Sequence, residues 1–340
     1  MTPEQILQAN GLGGSIAQRL IATNMDISML RTNAILQKDD WVDLDRRVVK
    51  VAQERLSAVS DLVDRDLIYE LGGLGKTVSQ WQTEGDMSDA TVSMEPDSDG
   101  IRDLLNLETD EVPVPIIHKD FRLGARQLAA GRESGSPIDM TNADAATRKV
   151  AVGMEDLVIS GSKNKFSKKP IYGYITHPFR SQIAFVDIGG ILQPITVDNF
   201  AELILQMIQE ADDKDYYGPF ILYVPTGLST ILYKIIPNTN GKMLKQHLEE
   251  IDLIEEVKVS SRMPKGNLAL VQMSSDNVDL AIGQPLIPVE WDEKGGMAVN
   301  YKILTAMAPR LKSRQDKTLG VVHAKFKQNR VESPTDPIDT

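Results

Sequence analysis

The chain has 340 residues, 41% hydrophobic and 25% charged, with 24 Gly, 17 Pro and a formal net charge of −11. This composition supports a real core and excludes a disordered, collagen-like or disulfide-built protein. It contains no Cys, which removes disulfides, thiolate nucleophiles and Cys-ligated zinc, and its acidic balance is wrong for gripping a phosphate backbone.

The four His residues (His118, His177, His247, His323) are far apart in sequence and spell no metal-binding motif. No catalytic residue, cofactor site or metal site is expected. The start, MTPEQILQANGLGGSIAQRL, lacks the basic head, apolar run and cleavage site of a secretory signal. No stretch approaches the ~20 apolar residues needed to cross a bilayer, so no membrane partner is expected.

Residues 1–40 are short, weakly amphipathic pieces separated by Gly11, Gly13 and Gly14, read as an arm that docks elsewhere; the alternative is a partly ordered N-terminal tail. From Trp41 to Leu71 the apolar residues Val42, Leu44, Val48, Val49, Ala52, Leu56, Val59, Leu62 and Val63 fall mostly at helical spacing. A helix is expected there, stopped by Gly72 and Gly73. Thr77–Trp81 and Val112–His118 read as extended. Between them runs an acidic segment whose only basic residue from Trp81 to Asp110 is Arg102. A two-stranded excursion this polar needs a partner surface; the alternative is a solvated loop on a monomer.

Asn142–Ser160 is the clearest helix, with Asn142 as its cap, a stripe of Ala146, Val150, Met154, Leu157 and Val158, and Gly161 as its stop. A basic run follows (Lys163, Lys165, Lys168, Lys169), the pattern of a solvated face. Thr196–Asn300 reads as an α/β module. Its helices are expected at 198–211, 227–235 and 242–250, and its strands at 220–224, 257–260, 268–272 and 278–282. Glu293–Gly296 signals a hairpin, and Val299–Met307 and Gly320–Lys325 read as strands. Ser333–Thr340 is a Pro- and Asp-rich tail.

Three motifs suggest chemistry, and each lacks part of what that chemistry requires. Gly72-Gly73-Leu74-Gly75-Lys76-Thr77 resembles the end of a phosphate-binding loop. The first Gly of that pattern is replaced by Glu70, and the buried strand before and helix after are not expected. Gly227-Leu228-Ser229-Thr230 lacks the Gly pair of a nucleophile elbow. Trp41, Trp81 and Trp291 read as packing anchors rather than stacking platforms.

The succession of pieces carries a resemblance that no single piece does. A Trp-led helix from Trp41-Val42 reaches Glu70-Leu71-Gly72-Gly73-Leu74-Gly75. The excursion returns through Val114-Pro115-Ile116-Ile117-His118-Lys119-Asp120-Phe121-Arg122-Leu123. A helix ending Glu155-Asp156-Leu157-Val158-Ile159-Ser160-Gly161 is followed by Ile171-Tyr172-Gly173-Tyr174, and later by Gly218-Pro219-Phe220-Ile221-Leu222-Tyr223-Val224-Pro225. From Trp41 to Phe326 this order resembles the encapsulin branch of HK97-like shell proteins.

The resemblance implies an α+β chain of the HK97-like capsid fold. Residues 1–40 would be its N-arm, 41–71 a helix leading into the loop, and 72–120 the extended E-loop. A peripheral domain would take 121–195 and 299–330, with a spine helix at 138–161. An α/β axial domain would take 196–298, and 331–340 would be a tail. It further implies a non-enzymatic homo-oligomer of hexamers and pentamers enclosing double-stranded DNA without sequence-specific binding. That would be the major capsid protein of a tailed bacteriophage, located in the virion capsid and assembled in the bacterial host cytoplasm. Scaffold, portal and decoration proteins would be its partners. The alternative is an encapsulin nanocompartment shell housing a cargo enzyme.

Two departures bear on that choice. The arm and loop are longer than an encapsulin needs, and no Lys lies between Trp81 and Asp110, which argues against Lys–Asn crosslinking from the loop tip. Lys76 at the loop base is the nearest candidate. The acidic loop is expected to face a neighbour's Lys119, Arg122, Arg126, Arg132, Arg148 and Lys149.

Overall fold

The computed structural model describes residues 56–85, 107–124, 141–166, 169–186, 190–235, 241–293 and 298–327, with a few isolated positions besides. The expected N-arm, Trp41, most of the acidic segment, Arg126, Arg132 and the 331–340 tail lie outside these residues. The chain divides into two units.

The first unit holds the residues up to His177 together with Ser274–Lys317. Its elements are α1 (Ala58–Asp64), β1 (Ile68–Glu70), β2 (Val78–Glu84), β3 (Leu107–Pro113), β4 (Ile116–Gly124), α2 (Thr141–Ser160), β5 (Ser162–Phe166) and β6 (Lys169–Ile171). The second unit, Pro178–Met273 and the residues from Thr318, begins with β7 (Ser181–Ala184), α3 (Val197–Asp212) and β8 (Phe220–Pro225). It continues through α4 (Ser229–Leu232), α5 (Leu244–Glu249), β9 (Ile254–Ser260) and β10 (Asn267–Gln272). The chain then returns to the first unit with β11 (Val278–Glu293) and β12 (Ala298–Leu311), and closes the second with β13 (Val321–Lys325).

A four-stranded sheet, β1-β11-β12-β4, forms the base of the first unit. β12 is antiparallel to both neighbours, and β1 runs parallel to β11. α2 packs on β4 and β12. Its expected stripe is buried throughout, from Ala146 and Val150 to Met154, Leu157 and Val158, because residues three and four apart share a helix face. The helix starts at Thr141, so Asn142 lies within the first turn rather than capping it.

Gly161 ends α2 at φ +70, the left-handed conformation that glycine adopts without a Cβ clash. The chain then crosses itself: Tyr174 and Ile175 donate their backbone N–H groups to Val158 and Ile159 at 3.0 Å each. A Cβ on Gly161 would stand 2.2 Å from the Ile171 carbonyl oxygen, and one on Gly173 would stand 2.5 Å from the Gly161 nitrogen. Both glycines are required by the closeness of two backbones.

The expected 41–71 helix is not continuous. Val51 and Ala52 are helical but Leu56 and Ser57 are not; α1 follows and ends at Asp64, and Asp66, at φ 60, turns the chain six residues before Gly72. The following residues become β1, paired with β11. The break is satisfied from outside: Glu155 of α2, wholly buried, accepts the backbone N–H groups of Ser57 (3.2 Å), Ala58 (2.8 Å) and Val59 (3.3 Å), and a short bond from the Ser57 hydroxyl. A carboxylate at a helix N-terminus meets both the unpaired donors and the positive dipole end. Periodicity along 41–71 could not show that break, since its cause lies 98 residues away.

The second unit has a five-stranded sheet, β7-β13-β10-β8-β9. Every residue of β8 is buried, which is the signature of a central strand covered on both faces. α3 packs on β13 and β7, and its Phe200, Leu203, Ile204 and Met207 share one buried cluster with Phe220, Leu222 and Val224 of β8, Leu268 and Leu270 of β10, and Val322 and Ala324 of β13. Each such side chain contributes roughly 1.5–3 kcal/mol on burial.

The expected domain boundaries need correction at three places. β11 was expected in the 196–298 module, but it pairs with β12 from end to end in the first unit. β13 was expected with the 299–330 strands, but it lies between β10 and β7 in the second sheet. Residues 178–195 were expected with the peripheral domain, and β7 places them in the second unit as well. In each case long-range strand pairing decided, and one-dimensional patterning does not encode which strands pair.

Candidate functional site: the loop hairpin and its anchor

The excursion is an antiparallel hairpin. β2 and β3 stay in register from Val78↔Pro113 to Glu84↔Leu107 without a bulge. Burial along β3 falls from its base, where Val112 and Pro113 are covered, to Leu107, Glu108 and Thr109, which are exposed. Val92, Met94 and Leu104 beyond it are 97%, 99% and 94% exposed. Apolar groups so exposed bury almost no surface against the rest of the chain.

The base is fixed in two ways. Val112, Val114 and Trp81 pack with Leu71, Leu157, Ile171 and Ala281. Beside them lies a buried ionic anchor that the sequence reading missed. Arg310 of β12 donates Nε to Asp279 Oδ1 at 2.5 Å and makes a second, shorter bond to Oδ2. Its Nη1 reaches Ser79 Oγ of β2 at 3.4 Å. The guanidinium lies 3.8 Å from the Tyr69 ring centre and 5.9 Å from that of Trp81, and Lys312 Nζ lies 2.8 Å from Asp279. A planar fork matched to a carboxylate and flanked by rings is a task for Arg rather than Lys. The signal available in sequence was Asp279 beside Val278, Leu280, Ala281 and Ile282, and Arg310 between Pro309 and Leu311, each a charge set in an apolar run.

On the open face of β3, Gln80 Nε2 donates to Glu111 at 3.1 Å, and Lys169 Nζ lies 3.3 Å from Glu111 and 4.0 Å from Asp110. The Gln80 hydrogen bond, then Lys169, hold the Glu111 carboxyl below the usual carboxylate range. Lys169, from the basic run read as a solvated face, thus braces the hairpin. Of the basic positions expected to meet the acidic loop, Lys119, Arg122, Arg148 and Lys149 are exposed. Arg122 stands 3.5 Å from Glu293.

The phosphate-loop look-alike leads into β2 rather than a helix, so its backbone makes no cradle at a helix N-terminus. Ser229 donates to the Thr226 carbonyl at 2.8 Å. Trp81 packs in the base of the hairpin as expected of an anchor, whereas Trp291 is 37% exposed with Lys302 over its ring at 5.6 Å. Among the described residues no three His, Asp or Glu stand close enough to hold a metal, and no helix is long and apolar enough to cross a membrane.

In the second unit His323 of β13 lies between Arg180, whose Nε is 3.1 Å from Nδ1, and Asn267, whose Oδ1 is 2.8 Å from Nε2. Burial, then the charges of Arg180 and Lys325, push its pKa down to about 4.

Solved structures share this arrangement. The virus-like particle from Pyrococcus furiosus matches with a TM-score of 0.59 over 83% of this chain and 98% of that one, at 16% identity. The capsid of Myoviridae phage XM1 matches at 0.58 over 76% and 89%, at 14% identity. Mycobacterium phage Bobi matches at 0.57 over 89% and 98%, at 11% identity.

Two curated relatives are shell proteins. The type 1 encapsulin shell protein EncA of Myxococcus xanthus is 24% identical over 82% of this chain and 90% of its own length. The diheme-cytochrome-encapsulin shell fusion protein of Kuenenia stuttgartiensis is 25% identical over 73% of this chain, which spans 63% of that protein. The fold is therefore the HK97-like capsid fold, α+β, and the chain is related to encapsulins. It belongs to the family described as a family of unknown function, DUF6260, whose model matches residues 31–324.

Proposed function

We propose that the chain is a shell subunit, and specifically the major capsid protein of a tailed bacteriophage, enclosing double-stranded DNA in an icosahedral shell of hexamers and pentamers. The observation that carries the reading is the hairpin. It is anchored at its base and leaves apolar groups exposed beyond, as a segment does when a second copy covers it. In this reading 72–120 is the E-loop and the first unit is the peripheral domain with α2 as its spine. The second unit is the axial domain, and residues 1–40 are an arm. No catalysis is assigned to it. A net charge of −11 suits a wall that does not bind its DNA tightly. Assembly would take place in the host cytoplasm, and scaffold, portal and decoration proteins are its expected partners.

A second reading, an encapsulin shell around a cargo enzyme, is favoured by the names of the curated relatives. Expression of the full chain alone in a bacterium, followed by negative-stain electron microscopy, separates the two. Large or irregular shells and tubes, or closure only with a co-expressed partner, fit the phage capsid. Small uniform closed shells fit the nanocompartment. Discrete monomers under all conditions overturn both.

A further inference from the structure

β4 is an edge strand. It pairs with β12 over nine residues without a register shift, and among the described residues no strand pairs with its other side from Ile116 to Leu123. A long, straight, unpaired edge is a template for another strand unless something guards it. β4 has no bulge against β12, and the charges that guard it, Lys119, Asp120 and Arg122, are of both signs, so they repel a second strand in some registers and attract it in others.

We propose that β4 pairs antiparallel with β4 of a second copy, about a two-fold axis at Phe121. This rests on copies meeting one another, and goes beyond the shell reading by naming where. A two-fold perpendicular to a sheet keeps each face on its own side, so opposing residues have the same parity and the axis passes through one residue. The sequence then chooses the register.

An axis at Lys119, Asp120 or Arg122 sets like charges directly opposite, which destabilises a pair. An axis at Ile117 or His118 runs the overlap into Pro115, which has no N–H to donate. An axis at Phe121 pairs the two Phe121 rings and sets Asp120 opposite Arg122 twice. It also sets Lys119 opposite Leu123 and spans residues 118–124. Asp120 and Arg122 occupy the exposed face, with side chains 48% and 51% exposed; within the chain Asp120 stands 3.5 Å from Lys302 and Arg122 3.5 Å from Glu293, exposed pairs worth little that each could share with a second copy. Each sheet would thereby continue into the other as β1-β11-β12-β4 joined to its mirror order.

The absence of Cys from the chain permits a clean test. Two differently tagged full-length variants, Asp120→Cys and Arg122→Cys, are mixed before assembly and oxidised, then run on non-reducing gels. Neither position touches the core. The expected result is a mixed disulfide several-fold more abundant than either homodisulfide, because residues two apart on facing strands lie beyond disulfide reach. Phe121→Cys should link to itself.

Homodisulfides as abundant as the mixed one, or no disulfide in intact shells, would overturn the proposal while leaving the shell reading in place. A mixed disulfide in plain dimers, with no shells seen, would support the pairing and overturn the shell reading. Preferential linkage of Lys119→Cys to Thr109→Cys of another copy would hand this edge to the hairpin and likewise refute the pairing.

Discussion

The β8 strand and the β3 strand show two ways for a segment to be held. In the second unit, all six residues of β8 are buried between strands and α3. In the first, only the last two residues of β3 are buried, and the rest runs outward as one side of an isolated pair. Two strands alone are marginal in water. The second unit therefore supplies its own stability, whereas the hairpin draws its order from its base and from whatever covers its tip.

The hardest break should come where two backbones cross. Gly161→Ala places a Cβ 2.2 Å from the Ile171 oxygen at a positive φ. A loss above about 4 kcal/mol is expected, seen as little soluble folded protein. Gly190→Ala is the matching control in the second unit. It has a similar φ, +77, with nothing within 4 Å of the added Cβ, so only the conformational cost of about 1 kcal/mol remains. Equal losses in urea unfolding would show that φ, not the crossing, sets the cost.

Next is the anchor. Arg310→Ala should cost about 3 kcal/mol, since it leaves Asp279 buried with Lys312 as its remaining cation. Amides of Val78–Glu84 should then exchange faster with deuterium, while those of β8 should not change. Arg122→Ala, which removes an exposed pair with Glu293, should cost less than about 1 kcal/mol. If β8 loosens along with β2, the two regions are not independent.

His323 carries a pH signature confined to the second unit. Its folded pKa of about 4 lies below the ~6.5 of an unfolded chain. Between these values the unfolded state binds more protons, so stability rises with pH across that window and is lost as pH falls. After discounting for solvent screening the amplitude is on the order of 2 kcal/mol. His323→Gln should flatten the slope between pH 4 and 6.5 in denaturant midpoints. An unchanged slope would assign the effect to other groups.

Local patterning carried much of this fold. α2, α3 and β8 show it best, because each buries a face that its own sequence repeats. The hairpin was legible as an acidic, apolar-poor stretch between two extended segments. What patterning left out was pairing at a distance: Glu155 capping α1, β11 joining β12, β13 inserting between β10 and β7, and Arg310 reaching Ser79. Each depends on which element lies alongside, and periods of two or 3.6 do not contain that information. Lys169 was misread for the same reason, since its acidic partners sit on a strand almost sixty residues earlier.

The smallest expected effect also concerns Lys169. Lys169→Ala removes an exposed cation from Glu111 and Asp110, while Gln80 still bonds Glu111. Long side chains in water gain little from such a pair, and salt weakens it further. The thermal midpoint should move by no more than about 2 °C. The hairpin amides should keep their protection, because the buried guanidinium, not the surface lysine, holds the base. If Lys169→Ala strips protection from β2 and β3 as far as Arg310→Ala does, the order is reversed. The hairpin would then be held at its open face, and raising the salt concentration should loosen the native hairpin in the same way.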